Sequence, residues 1–155
     1  MVYVTGDMHG DIARFKDPEI KKLKKGDTLI ICGDFGFIWD NSKKEKSLLK
    51  KLAEKDYTIA FVDGCHENFD ILERYDVVEW NGGKARIIEP NIIHLMRGQV
   101  FTIEDKEFLP SAADIVRILS TAVTVLTGGN RNSLLILKFL RQLIIWQIIP
   151  IPLIT

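Results

Sequence analysis

Three short apolar runs mark the first half of the chain and predict β-strands. The run at residues 28–32 is continuously apolar, which is typical of a strand covered on both faces of its sheet. The runs at residues 2–4 and 57–62 are rich in β-branched and aromatic side chains. Amphipathic segments separate the runs and predict helices. The predicted helices cover residues 12–15, 19–25, 43–55 and 68–75.

Polar residues mark the expected starts of two of these helices. Asp17 and Pro18 suit an N-cap and the first helical position, and Ser42 with Glu45 forms a capping-box pattern. Apolar residues at helical spacing then predict the side that each helix buries. They are Ile20 and Leu23, then Leu48, Leu49 and Leu52, and finally Phe69, Ile71 and Leu72.

Strands that alternate with helices through residue 75 favour an α/β fold with parallel neighbours joined by helical crossovers. After Gly82 and Gly83 the pattern changes. Runs at residues 85–88, 92–96 and 100–103 are strand-like and separated by turns. These later runs predict an antiparallel continuation of the sheet.

Composition adds a limited set of constraints. A chain of 155 residues suits one domain with a sizeable core. Acidic and basic residues balance at 21 each, so the charge gives no signal for nucleic acid or an anionic membrane. Two cysteines are too few for a disulfide framework. Together with an N-terminus that lacks a secretory pattern, they predict a cytoplasmic location.

The composition changes sharply near Phe108. Residues 1–107 carry 37 of the 42 charged residues, and residues 108–155 carry five. The later segment also holds 21 Ile, Leu and Val residues among 48. We therefore predict two parts, an N-terminal domain portion at 1–107 and a divergent apolar tail at 108–155.

Asp, His and Gly gather in three short segments, each at the downstream end of a predicted strand. The segments are 5–11 (TGDMHGD), 33–36 (GDFG) and 63–67 (DGCHE). Residues two apart in an extended segment point to the same side, so Asp7 and His9 could hold one cation together. A carboxylate from the next segment, Asp34, would add a further ligand. Asp and Gly also mark ordinary turns, but the recurrence after three successive strands favours a metal site.

The three segments resemble the motifs of the calcineurin-like metallophosphoesterases, which run Asp-x-His, Gly-Asp-x-x-Asp and Gly-Asn-His-Glu/Asp. The likeness continues through Asn68-Phe69-Asp70, residues 79–83 and residues 91–99, so it covers roughly residues 1–107. It implies an αββα sandwich with the site at one end, between two sheets. It also implies metal-dependent hydrolysis of phosphate esters with two divalent ions, drawn from Mn, Fe, Zn or Ni.

The resemblance also implies a role for each matching residue. Asp7 and His9 would bind the first metal, Asp34 would bridge both, and position 65 would supply a ligand of the second. His66 would protonate the leaving oxygen or stabilise developing charge. His94, among apolar strand residues, is interpreted as structural.

The chain departs from the family pattern in three places. Phe37 stands where many relatives carry the second Asp of the second motif; that Asp is a supporting residue in the family and not a principal ligand, so this departure is discounted. Cys65 replaces the family's Asn, and a thiolate there would favour zinc, although the thiol could equally bind no metal. The family completes its site with later histidines, whereas no histidine follows His94 in this chain. The second metal site is therefore expected to be incomplete.

Two origins fit the tail. Relatives continue with Phe-Phe-Thr-Phe-Gly-Gly, and deleting one T from one encoding of that strand gives Phe-Leu-Pro-Ser-Ala-Ala, the sequence of residues 108–113. Our hypothesis is that the chain leaves the family's reading frame at Leu109, which would give an aggregation-prone segment. The alternative is a genuine C-terminus with a surface-seeking or partner-binding helix at residues 133–146. Charged residues and prolines interrupt the apolar run at 134–155, which argues against a membrane helix.

The sequence therefore predicts a metal-dependent phosphoesterase that acts on a mono- or diester, with impaired activity. The competing prediction is an inactive remnant, or a weak metal-binding protein with a partner-binding tail. A nucleic-acid-binding module is disfavoured, because no basic stripe is interleaved with aromatic residues. The substrate and the oligomeric state stay open.

The frame hypothesis makes a direct prediction about the gene. Another reading frame downstream of the Phe108 codon should encode the family's missing strand and its later histidines. Nucleotide sequencing checks this, and finding them in no downstream frame would refute the hypothesis.

Overall fold

The computed structural model describes residues 1–112, 115–118 and 124–125. In this part of the chain two β-sheets share one apolar core, and helices cover the opposite face of the larger sheet. The predicted α/β fold is confirmed. Most of the predicted tail, including the helix considered at residues 133–146, lies outside the described residues.

The larger sheet carries the three motif segments. Its strands are β1 (Val2–Thr5), β2 (Thr28–Cys32), β3 (Thr58–Val62), β4 (Val77–Trp80), β5 (Gly83–Glu89), β6 (Ile92–Leu95) and β10 (Thr124–Val125). Across the described sheet their order is β10-β1-β2-β3-β6-β5-β4. Strands β1, β2, β3 and β6 are parallel, β10 is parallel to β1, and β4 and β5 add an antiparallel edge.

The smaller sheet is antiparallel within the described residues. It contains β7 (Phe101–Ile103), β8 (Lys106–Ala112) and β9 (Ile115–Ile118). Glu104 and Asp105 both have positive φ in the turn between β7 and β8. This is the conformation of a tight hairpin whose twist matches that of its strands.

The first three predicted strands are confirmed, but the second half of the larger sheet needs correction. The runs at 85–88 and 92–96 pair antiparallel with each other as β5 and β6, as expected, but β6 also pairs parallel to β3. The run at 100–103, expected in the same sheet, forms β7 of the smaller sheet. Strand β4 was not predicted at all. The signal for it was Asn81-Gly82, a strong two-residue hairpin signal, and both residues have positive φ in the turn to β5.

The helical layer is shorter than predicted. It contains 3₁₀ turns at Ile12–Lys16 and Ile20–Lys22, and α-helices α1 (Lys43–Ala53) and α2 (Phe69–Leu72). Ile20 and Leu23 are buried as expected. Among the described residues no helix is long and apolar enough to cross a membrane.

Two local predictions about the helices were incomplete or wrong. Ser42 Oγ accepts the Glu45 N–H at 3.1 Å, as a capping box requires, but the Glu45 carboxylate accepts from residues 39–41 rather than from Ser42. Phe69 was expected to face inward, yet it is 45% exposed. Helix α2 is a single turn capped by Asn68, so it has no extended buried face.

The parallel strands alternate their side chains between two core clusters. Leu29 and Ile31 pack with the helices, whereas Ile30 packs in the cluster that also contains Phe101 and Phe108 of the smaller sheet. This alternation follows from the two-residue period of a strand. The β-sandwich that results fixes the carboxyl ends of β1, β2 and β3 side by side.

Tyr57 provides a test of this packing. Its side chain is buried among the residues of the helical side, and burial raises the pKa of Tyr57 from 10.0 to about 12. The unfolded chain releases this proton first, so stability should fall as the pH rises from about 10 to about 12. The ionisation of Tyr57 lowers the free energy of unfolding by at most about 2.7 kcal/mol over this range. We expect this decrease to be absent in Tyr57→Phe.

Denaturant unfolding of both proteins across that pH range measures the effect. Parallel stability curves for the wild type and Tyr57→Phe would contradict this account of the tyrosine.

Candidate active site

The three motif segments meet at one edge of the larger sheet. Strands β1, β2 and β3 are adjacent and parallel, with Thr5 beside Ile31 and Cys32 beside Val62. The loops that follow them therefore leave from the same edge, where ligands gather in open α/β sheets. The predicted convergence of these loops is confirmed.

Backbone hydrogen bonds join the first two loops. The N–H groups of Met8 and His9 donate to the Asp34 carbonyl at 2.9 and 2.8 Å, and the Gly10 N–H donates to the Phe35 carbonyl at 3.0 Å. These bonds satisfy loop amides that would otherwise need water. They also fix the position of His9 relative to Asp34.

Glu67 joins the second and third loops. Its buried carboxylate accepts the Gly36 N–H and the Gly64 N–H, each at 2.6 Å. Burial raises the pKa of Glu67, and the charges of Asp34 and Asp63 raise it further. The two hydrogen bonds lower the pKa, each with an effect smaller than that of burial. Glu67 is the last residue of the third motif, and the sequence predicted no role for it. The structure makes it a crosslink between loops.

Glycine at positions 10 and 36 permits the close approach of the first two loops. Both have positive φ, and a Cβ on Gly36 would lie 2.4 Å from the Gly10 nitrogen and 2.6 Å from the His9 carbonyl carbon. A Cβ on Gly10 would meet the Gly36 oxygen at 2.5 Å. Since these contacts are with backbone, no side-chain rotation could relieve them.

Three side chains from the three loops come together. His9, Asp34 and His66 each offer a ligand atom, and these atoms all lie within 4.8 Å of one another. His66 Nδ1 lies 2.9 Å from Asp34 Oδ2, and His9 Nδ1 lies 3.8 Å from the same oxygen. The two imidazole rings meet edge to face, with centroids 4.4 Å apart.

Asp34 lies at the centre of the group. Its side chain is 7% exposed, whereas those of His9 and His66 are 43% and 53% exposed. Burial alone would raise the pKa of Asp34, but hydrogen bonds from the His66 N–H, the His66 ring and the Cys65 thiol lower it overall. The carboxyl group is thus held as an anion. Asp34 and His9 also have positive φ, a strained conformation that clusters at functional sites.

The other two predicted ligands lie beside this group. Asp7 Oδ2 is 3.5 Å from His9 Nε2, so one imidazole contacts both Asp7 and Asp34. Cys65 Sγ is 3.5 Å from Asp34 Oδ2 and 3.4 Å from His66 Nδ1. All five predicted site residues are therefore linked by contacts. The group formed by His9, Asp34 and His66 includes a residue predicted as a proton donor, His66. It does not include Asp7, which was predicted as a metal ligand. The role of each residue stays a prediction.

A second polar network lies behind the third loop. His94 Nε2 is 2.9 Å from Asp63 Oδ1, and Arg97 pairs with the same carboxylate and donates to the Asp63 carbonyl. Burial raises the pKa of Asp63, but the hydrogen bond from His94 and the electrostatic interactions with His94 and Arg97 lower it overall. His94 is buried and serves this network, which agrees with its structural interpretation.

The donor set fits a divalent metal ion. One carboxylate and two imidazoles are borderline-to-hard ligands suited to Mn, Fe, Zn or Ni. Metal–ligand bonds are about 2.0–2.2 Å long, so ligand atoms that share one ion lie within a few ångströms of one another. The observed limit of 4.8 Å is close to this separation, so small rotations of the exposed imidazoles would close the group around one cation.

Comparison with known proteins agrees with this geometry. A family model for the calcineurin-like phosphoesterases matches residues 1–148, a range that includes all three loops and the predicted boundary at 107. Searches of curated proteins and of solved structures gave no match. That family depends in general on two metal ions, and the described residues contain one group suited to a cation.

The contact between Gly10 and Gly36 gives a testable prediction. Gly36→Ala should destabilise the fold and separate His9 from Asp34, because the new methyl overlaps backbone. Gly98 is a matched control, since it has almost the same φ but open space around its Cβ position. We expect Gly98→Ala to cost about 1 kcal/mol from backbone strain, and Gly36→Ala to cost about 1–3 kcal/mol more.

Unfolding midpoints and Mn²⁺ titrations of both variants measure this difference. Equal stability and equal metal affinity in the two variants would show that the close approach does not matter.

Proposed function

Because this chain belongs to the calcineurin-like phosphoesterase family, we propose that it hydrolyses phosphate mono- or diesters at the site built from Asp7, His9, Asp34, Cys65 and His66. One observation carries this proposal. A buried, anionic Asp34 contacts two half-exposed imidazoles from neighbouring loops. A buried carboxylate that faces histidines at an open edge is suited to holding a cation beside a substrate.

The residues that would hold metal follow the family pattern. Asp7 and His9 would bind the first ion, Asp34 would bridge to a second, and Cys65 would be a ligand of the second. The contact of His9 with both carboxylates supports the first part, and the 3.5 Å contact of Cys65 with Asp34 supports the last. When bound, such ions polarise phosphoryl oxygens and lower the pKa of a water molecule.

His66 is proposed as the proton donor. Since Asp34 is held as an anion, His66 Nδ1 donates to it at 2.9 Å. When the ring is an imidazolium, Nε2 carries the second proton, which is the one available for transfer. In the reaction, water adds to phosphorus and the P–O bond to the leaving group breaks. The leaving oxygen takes a proton from His66, and the proton of the attacking water replaces it through solvent.

A second candidate is a non-catalytic, weakly metal-binding chain. The lack of histidine between residues 95 and 155 supports it, because this stretch supplies none of the family's later histidine ligands. The number of metal ions bound per molecule would distinguish the two candidates.

Turnover with added Mn²⁺ tests the proposal. We expect the chain to hydrolyse para-nitrophenyl phosphate or its bis-ester at least about tenfold more slowly than an intact relative, because lost ligands and their partners each cost about 10–100-fold. Asp34→Asn should lower both Mn²⁺ affinity and turnover by about 100-fold or more, since it removes the central charge.

Asp56→Asn is the matched control, because Asp56 is exposed and precedes β3 at the end of the sheet away from the site. This variant should behave as the wild type. Turnover equal to that of an intact relative would contradict the prediction that this chain is impaired. Wild-type turnover in Asp34→Asn would contradict the assignment of Asp34 to the active site.

A further inference from the structure

We propose that Trp39 forms a stacking surface for the leaving group, so that the site prefers aryl phosphate esters, in which an aromatic ring is bonded directly to the leaving oxygen. This inference rests on the proposed hydrolase function for its reaction, but its binding part can be measured separately. It concerns a residue outside the three motif segments.

Trp39 is exposed at the end of a buried stretch, where the chain leaves the core. Phe35, Phe37 and Ile38 are at most 1% exposed, whereas Trp39 is 54% exposed. Leaving an indole in water forgoes the free energy of its burial. The large indole therefore stays in water at the point where the chain leaves the core.

The exposure does not come from a loosely held backbone. The Glu45 carboxylate accepts the N–H groups of Trp39, Asp40 and Asn41 at 2.7, 2.9 and 3.1 Å. On the other side, Asn68 Nδ2 donates to the Trp39 carbonyl at 2.9 Å, and the Asn68 N–H donates to the Ile38 carbonyl at 2.8 Å. Helix α1 and the segment before α2 thus hold this loop from two directions and present the indole in a fixed place.

That place is next to the proposed proton donor. The ring centroids of Trp39 and His66 are 6.4 Å apart, with 36° between the ring planes. Both residues line a cleft of about 320 Å³, together with His9, Lys44 and Leu48. The cleft joins the imidazoles of the site to an aromatic wall and a cationic side chain.

The spacing favours one class of ester. The leaving oxygen must lie within hydrogen-bond reach of His66, about 2.6–3.2 Å. In an aryl ester the ring follows that oxygen directly, so the ring enters the space beside His66 that the indole borders. Aromatic rings pair at centroid distances of about 4.5–7 Å. A small alkyl leaving group has no planar surface to place there.

Kinetics on two esters test the proposal with the full chain and Mn²⁺. For phenyl phosphate, Trp39→Ala should raise KM about fivefold to tenfold, and Trp39→Phe should restore most of the loss, because an aromatic ring remains. For glycerol phosphate, both variants should stay within about twofold of the wild type. Phe69→Ala is the matched control, since Phe69 is exposed and neighbours the Asn68 bond but does not line the cleft.

Equal effects of Trp39→Ala on both esters would overturn the proposal. So would a loss of the same size in Phe69→Ala, because the effect would then come from a general change in the loops.

A binding measurement separates this inference from the hydrolase proposal. Calorimetry should show that the wild type binds phenylphosphonate about fivefold to tenfold more tightly than methylphosphonate, and that Trp39→Ala abolishes the difference. If neither ester is hydrolysed but this difference is present, the hydrolase proposal fails and the stacking surface stands. If both esters are hydrolysed and the phosphonates bind equally, the stacking surface fails alone.

Discussion

The site depends on how closely three loop backbones approach one another. Gly10 and Gly36 lie in direct backbone contact, and a Cβ on Gly64 would lie 2.1 Å from Asp34 Oδ1. Carbonyl groups of the second loop accept hydrogen bonds from N–H groups of the first loop, and the Glu67 carboxylate accepts hydrogen bonds from N–H groups of the second and third loops. The parallel strands only bring the loops to the same edge. The absence of side chains at three positions brings the functional groups within contact distance.

This close approach gathers negative charge, and the surrounding residues compensate for it. Asp34, Asp63 and Glu67 are all buried. Asp34 faces two imidazoles, Asp63 pairs with His94 and Arg97, and Glu67 has two amide donors. Buried carboxylates persist only when such partners replace water. Glu67 has no cationic partner among the described contacts, which is consistent with its raised pKa.

The sequence predicted features that depend on local pattern or on parallel topology. The apolar run at 28–32 led to β2, and the position of Asp34 after that strand led to its place at the edge of the sheet. Features that depend on three-dimensional approach were missed. No spacing rule shows that Glu67 and Glu45 would accept amides from other loops. Phe69 was assigned inward from periodicity, but one turn of helix is too short for that argument.

Strand β8 crosses the compositional boundary near residue 108. Phe108 is fully buried and pairs across the smaller sheet with Phe101, in the core that both sheets share. A chain cut after residue 107 would therefore remove Phe108 from the shared core, expose the apolar side chains it covers, and keep only the first two residue pairs between β7 and β8. Exposed apolar side chains and open strand edges are a recognised route to association between strands. A shortened chain that contains the three motif segments therefore needs at least the residues of β8. Without them the sandwich is incomplete, and its exposed apolar surface would lower the solubility of the fragment.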